Sequence, residues 1–256
     1  MMTFTLDLSW VYATLLLSLR LAPSFFLTPL LGPSPIPAPV KVVLTLGLSS
    51  FMVLAQAVPV RIPDSVWELI GQMASEALLG AALAYSVQAA FAALSFAGRT
   101  VDTQIGFSLA GLVNPMTRVS EALSGLLFEL LAVAYLYAVN GHHMLLRALA
   151  FSVRSAPLGL PFAVPRPEMI IGQFATVFTL ALALAAPLLV TLFVLDAGVA
   201  VMSRSLPQFN AFVIAMPVKV LVGLAVFAIL IPRLGDFFER WLTSILDGWA
   251  KLVPLG

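Results

Sequence analysis

The chain has 256 residues, of which 61% are hydrophobic and 10% charged, against about 25% charged in an ordinary soluble domain. That composition is a membrane protein's, and with 13 basic and 12 acidic side chains, net charge +1, it offers no basic footprint for nucleic acid. The absence of cysteine excludes disulfides, thiolate-bound zinc, iron–sulfur clusters and cysteine nucleophiles together.

A bilayer-spanning helix needs about 20 apolar residues. Leu21 to Val40, Val42 to Val60, Ala77 to Gly98 and Met169 to Leu195 contain no Asp, Glu, Lys or Arg. With Gly and Pro as punctuation, apolar helices are expected at roughly 9–31, 40–58, 66–98, 122–150, 168–202 and 211–232. The runs lack the two-residue alternation of barrel strands, so the expected fold is all-α, since helices and closed barrels alone satisfy the backbone in lipid. Arg20, the first basic residue, lies inside the first apolar run, which does not suit a cleaved signal peptide. Basic residues are scattered among the segments and set no orientation. Pro23, Pro29, Pro33, Pro35, Pro37 and Pro39 crowd the first turn-over, and Pro187 and Pro217 interrupt later runs, so neighbouring helices or protein-lined cavities must rescue broken backbone bonds.

Arg20, Glu76, Asp102, Glu129, Asp196, Arg204 and Lys219 lie within or beside apolar runs, where a charge must face protein or water. Glu76, Gly80, Ala84 and Gln88 recur every four residues and form one stripe expected to face another helix. Gly98, Asp102, Gly106 and Ala110 continue that spacing until Gly111 and Asn114-Pro115 end it, where helix should yield to loop. His142 and His143 are the one conspicuous histidine pair, but adjacent helical residues diverge by about 100° and do not easily share a metal, so a polar turn at the membrane boundary is the favoured reading. No metalloprotease, nucleophile-elbow, phosphate-loop or EF-hand motif occurs. Pro39-Val40-Lys41 is echoed by Pro217-Val218-Lys219. At the C-terminus, Leu234, Phe237, Phe238, Trp241, Ile245, Trp249 and Leu252 share a helical face, with Asp236–Arg240 and Asp247–Lys251 as i,i+4 pairs. This amphipathic helix is expected on a membrane surface or on a partner.

These residues carry a resemblance. Arg20 with Pro23 and Pro29, Pro39-Val40-Lys41, Glu76-Ala77-Leu78-Leu79-Gly80, the run Gly98 to Ser108, Asn114-Pro115, Asn140-Gly141-His142-His143, the run Ser203 to Asn210 and Pro217-Val218-Lys219 together resemble the FliR family of flagellar export-apparatus proteins, whose virulence-secretion relative is the SctT type. The Asn-Gly-His-His form looks more like the flagellar branch.

The resemblance implies a non-enzymatic, cofactor-free subunit of a type III protein export gate in the bacterial inner membrane, at the flagellar basal body. Implied partners are FliP-like and FliQ-like membrane subunits, an FlhB-like switch protein, membrane lipid and exported unfolded polypeptides. The implied fold is a multi-helix membrane protein of bent helical hairpins, like a fusion of FliP and FliQ folds. Residues 1–232 would form the export core and 233–256 the amphipathic helix. A plug-like loop at about 106–120 would comprise Gly106, Phe107, Ser108, Leu109, Gly111, Leu112, Val113, Asn114, Pro115 and Met116. Asn114 stands where many relatives have Asp before the proline. Polar contacts between helices or subunits would fall to Arg20, Lys41, Glu76, Asp102, Gln104, Arg204, Gln208, Asn210 and Lys219, with Glu76 pairing to Arg204 or Lys219. The competing functions are a virulence-secretion homologue, a proton-coupled transporter using Glu76, Asp102 and Asp196, and a membrane enzyme using the two histidines.

Overall fold

The computed structural model describes residues 8–28, 36–56, 60–106, 122–159, 167–205 and 211–252. All regular structure among the described residues is helical: α1 (Leu8–Phe26), α2 (Ala38–Gln56), α3 (Val66–Ile105), α4 (Leu123–Ala138), α5 (Gly141–Ser155), α6 (Pro167–Ser205), α7 (Ala211–Leu230), a 3₁₀ turn at Ile231–Arg233 and α8 (Leu234–Leu252). Among the described residues, five helical stretches are long and apolar enough to cross a membrane, or six if the bent pair α4–α5 counts as one span. The expected all-α membrane protein is therefore found.

Two expected boundaries move. The third helix runs on to Ile105 instead of stopping near Gly98, reaching 40 residues, about 60 Å at the ordinary helical rise, twice the hydrocarbon thickness of a bilayer. Ser65 and Glu68 start it: the Glu68 N–H donates to the capping Ser65 Oγ at 3.3 Å and Glu68 Oε2 accepts from the Asp64 N–H, one residue before the cap, at 3.2 Å. Arg61, just outside the helix, hydrogen-bonds Asp64, and that carboxylate raises the guanidinium above its ordinary pKa. Gly106, at φ +98, ends the helix in the left-handed region that glycine enters without strain. The fourth run breaks instead of continuing: Asn140 at φ 55 precedes Gly141, and α4 and α5 meet at 74°.

Chain contacts divide the molecule into two compact units. The first comprises Met1–Ala89, Leu136–Phe174 and Thr243–Gly256, the second Ala90–Tyr135 and Ala175–Leu242. In the first, Leu16, Leu17 and Leu21 of α1, Leu79, Leu83 and Val87 of α3, and Leu145 and Leu149 of α5 are buried. In the second, Ala90, Ala93 and Ala97 line the buried side of α3 with small side chains beside the buried Leu94, and small residues permit close helix approach.

The C-terminal helix differs from expectation in what covers it. Its amphipathic face exists, but α3 of the same chain covers part of it instead of a membrane surface or a partner. In the second unit the buried Trp241 indole donates to the Ala90 carbonyl at 3.1 Å and meets Phe91 edge-on at 5.0 Å. In the first, the Trp249 indole donates to the Leu83 carbonyl at 2.9 Å. Each tryptophan thus buries a large apolar body while satisfying its one N–H. Neither expected i,i+4 pair reaches ion-pair distance; among the described residues the ion pairs are Arg20–Glu76, Arg61–Asp64 and Lys219–Asp196. In contrast, α6 and α7 leave Val190, Phe193, Val194, Leu221, Leu224 and Ile229 at least 60% exposed, an apolar surface that demands lipid or another protein.

Candidate functional site

The polar residues embedded in these helices form one cluster in each unit. In the first unit, Arg20 and Glu76 make a salt bridge, Nε to Oε2 at 2.6 Å, with side chains only 1% and 2% exposed. The rest of the guanidinium is also used: Nη1 donates to the Ser152 carbonyl at 3.0 Å and Nη2 to the Ala156 carbonyl at 2.9 Å. Glu76 Oε1 accepts the Gly159 N–H at 3.1 Å. One arginine therefore ties α1 to α3 and caps the carbonyl end of α5, where a helix dipole favours a cation.

Gly80, one turn beyond Glu76, makes this geometry possible. A Cβ there would overlap the Arg20 carbonyl oxygen and come within 2.9 Å of its carbon, so α1 approaches α3 at a distance only glycine allows. The four-residue stripe thus does face a helix over Glu76, Gly80 and Ala84, but Gln88 is exposed. The expected Arg204 or Lys219 partner for Glu76 is replaced within the chain by Arg20, because Arg204 is exposed at the end of α6 and Lys219 is engaged elsewhere.

In the second unit the same device appears in reverse order along α3. At Gly98 a Cβ would overlap Gly125 Cα and N of α4. One turn later the buried Asp102 accepts the Ser124 N–H at 3.1 and 3.2 Å and the Ser124 hydroxyl. Asp102 therefore caps the start of α4 from a neighbouring helix, supplying an acceptor to a free first-turn N–H. Ser95 donates to Glu129 of α4. Beyond Asp102, Gln104 Nε2 donates to Asp196 Oδ2 of α6 at 3.0 Å, and Lys219 Nζ of α7 pairs with Asp196 Oδ1 at 2.6 Å and donates to the Gln104 carbonyl at 3.4 Å. Lys219 is 19% and Asp196 36% exposed.

The consequence concerns the segment between α3 and α4. Its two stems are held together by Gly98 on Gly125 and by Asp102 on Ser124, and the last turn of α3 is fixed to α6 and α7. Of the expected plug residues, Gly106 occupies the end of the stem; Phe107, Ser108, Leu109, Gly111, Leu112, Val113, Asn114, Pro115 and Met116 lie outside the described residues, as do Gln208 and Asn210. Ser124, Gly125, Ser152 and Gly159 were not anticipated, because small residues announce no partner until the helices are placed.

Lys41 stands in the first turn of α2 with its ammonium 5.7 Å from the Phe26 ring centroid, whereas its echo Lys219 pairs with a carboxylate. His142 and His143 lie ring to ring at 4.2 Å beside Tyr137, in the first turn of α5. No group of three potential metal ligands occurs among the described residues.

Comparison with known proteins extends this picture. The family described as bacterial export proteins, family 1, matches residues 11–245. The flagellar biosynthetic protein FliR of Escherichia coli K12 is 28% identical over 254 residues, covering 96% of this chain and 94% of its own. FliR of Bacillus subtilis 168 is 29% identical over 220 residues, 82% and 83% of the two chains. The Yop proteins translocation protein T of Yersinia pestis is 29% identical over 190 residues, 73% and 72%. A family match across nearly the whole chain, on a set of bent apolar helices stitched by buried polar residues, places this protein in the bacterial export proteins, family 1.

Proposed function

We propose that this chain is a subunit of the flagellar type III protein export gate, seated in the bacterial inner membrane at the flagellar basal body. There it would assemble with FliP-like and FliQ-like membrane subunits and an FlhB-like switch protein, and help to form and seal the channel for unfolded polypeptides. The observation that carries this reading is the family match over residues 11–245, with relatives named as flagellar biosynthetic proteins aligned almost end to end. The 29% identity to the Yop translocation protein supports a virulence-secretion homologue as the second reading.

The geometry supports a division of labour. A channel seal must be close-packed against ions yet displaceable by a polypeptide, so its mobile part needs lower local stability than its frame. In this reading the tied stems at Asp102–Ser124 and Gly98–Gly125 are the frame, and the loop from Gly106 to Ser120 is the plug. Glu76, Asp102 and Asp196, which a transporter would use as proton sites, are each engaged in ion pairs or caps. Deleting Gly111 to Thr117 tests the assignment. The expected outcome is a complex of unchanged composition whose host membrane leaks small ions; normal membrane conductance with normal assembly would refute the plug.

A further inference from the structure

In the second unit, α7 is lightly held. Of its residues 215–230 only Ala215 and Gly223 are buried, and both lie with Lys219 on one stripe at four-residue spacing. That stripe meets the last turn of α3. Lys219 Nζ reaches the Gln104 carbonyl at 3.4 Å and pairs with Asp196 at 2.6 Å. A Cβ at Gly223 would stand 3.0 Å from Ile105 Cδ1, and one at Gly106 would stand 3.4 Å from Met216 Cε. The turn from Thr103 to Gly106 therefore rests on α7 from Met216 to Gly223. Farther along, Phe227 stacks on Phe128 of α4 at 5.9 Å.

The two fixings of this end of α3 are built differently. Just before the turn, Gly98 lies against the Gly125 backbone and the buried Asp102 caps α4. At the turn itself the polar tie is open, with Lys219 19% and Asp196 36% exposed. A charge in that position faces water or a polar group, because hydrocarbon does not accept it. An ion pair at an exposed edge costs little to separate, whereas breaking a buried polar contact strands its groups at high cost. Pro217, between Met216 and Lys219 in α7, also lacks the N–H for one helical bond beside the contact.

We propose that the turn from Thr103 to Gly106 is a releasable joint: Asp102 is the fixed pivot, and Lys219 with Asp196 holds the turn on α7 until a passing polypeptide parts them. The inference rests on the export-gate reading and adds to it the place where α3 yields. Were the joint permanent, Gly106 alone, at φ +98, would be the hinge. The two arrangements differ in whether the end of α3 leaves α7.

Because the chain has no cysteine, one introduced pair reports on this contact alone. A Cβ at Gly223 would lie 3.4 Å from Ile105 Cγ1, one bond from that residue's own Cβ, which suits a disulfide. The full chain carrying Ile105→Cys and Gly223→Cys is expressed in a host that lacks the natural copy, and the cells are oxidised with copper phenanthroline. Reduced, the variant should export flagellar proteins like the parent. With the disulfide formed it should lose most of that export and regain it in dithiothreitol, while each single cysteine is indifferent to the oxidant. Normal export with the disulfide formed would overturn the proposal and leave Gly106 as the hinge. Failure of the parent chain to restore export would instead remove the export reading, and this inference with it. If the paired cysteines block assembly, Lys219→Met decides: the host membrane should leak small ions with the complex intact, and Lys219→Arg should keep it tight. A tight membrane with Lys219→Met would overturn the joint.

Discussion

Replacing Glu76 by alanine probes the first-unit clamp. The carboxylate is 2% exposed and faces a guanidinium that is 1% exposed at 2.6 Å, so its removal strands a buried positive charge and unpairs the Gly159 N–H. Removing one member of such a pair costs about 3 to 5 kcal/mol. For a chain of this size each kcal/mol moves the unfolding midpoint by about 2 to 4 °C, so Glu76→Ala should unfold roughly 6 to 20 °C below the parent. Glu76→Lys, facing Arg20 with a like charge, should be worse. The double variant Arg20→Met with Glu76→Leu removes both charges and should recover part of the loss, because no buried charge is then stranded, although the Ser152 and Ala156 carbonyls and the Gly159 N–H lose their present partners. Heating the detergent-solubilised protein and following the monodisperse fraction by gel filtration measures these shifts, with exposed Asp247→Ala as the control. If Glu76→Ala stays within the control's range, or the double variant is no better than the single, the clamp is not what holds α1 to α3.

Gly98→Ala should impair folding, because its methyl group would overlap the Gly125 backbone, whereas Gly172→Ala, with nothing within 4 Å of its Cβ, should stabilise α6 by about 0.5 to 1 kcal/mol; thermal midpoints of the two variants check the contrast. Asp102→Ala removes the acceptor for the Ser124 N–H and should cost about 1 to 2 kcal/mol. Limited proteolysis should then cut faster between α3 and α4, and an unchanged rate would mean that Asp102 does not hold the loop stems together.

The helices were legible because charge-free runs of bilayer length leave few alternatives. Their interruptions were not. Gly98 reads as punctuation in sequence, yet within a helix it serves close approach to Gly125, so α3 continues past it. Asn140-Gly141 sits inside an apolar run and bends it, since Asn tolerates the left-handed conformation that turns the chain. The stripe from Glu76 announced a helix contact, but its partner Arg20 lies 56 residues away and only packing selects it over Arg204 or Lys219. Asp102 likewise finds Ser124, 22 residues further on. The amphipathic pattern of α8 was plain, whereas its cover was not: a tryptophan face suits lipid, a partner or α3 equally well until the Ala90 and Leu83 carbonyls are in place.

The central claim is that the chain works as one part of a hetero-oligomeric gate. Native mass spectrometry of the complex that co-purifies with a tagged copy, expressed beside its neighbouring membrane proteins, tests it directly. The account predicts an assembly in which this chain is joined by several copies of two small hydrophobic subunits. A monomer or a homo-oligomer that moves a small solute would contradict it.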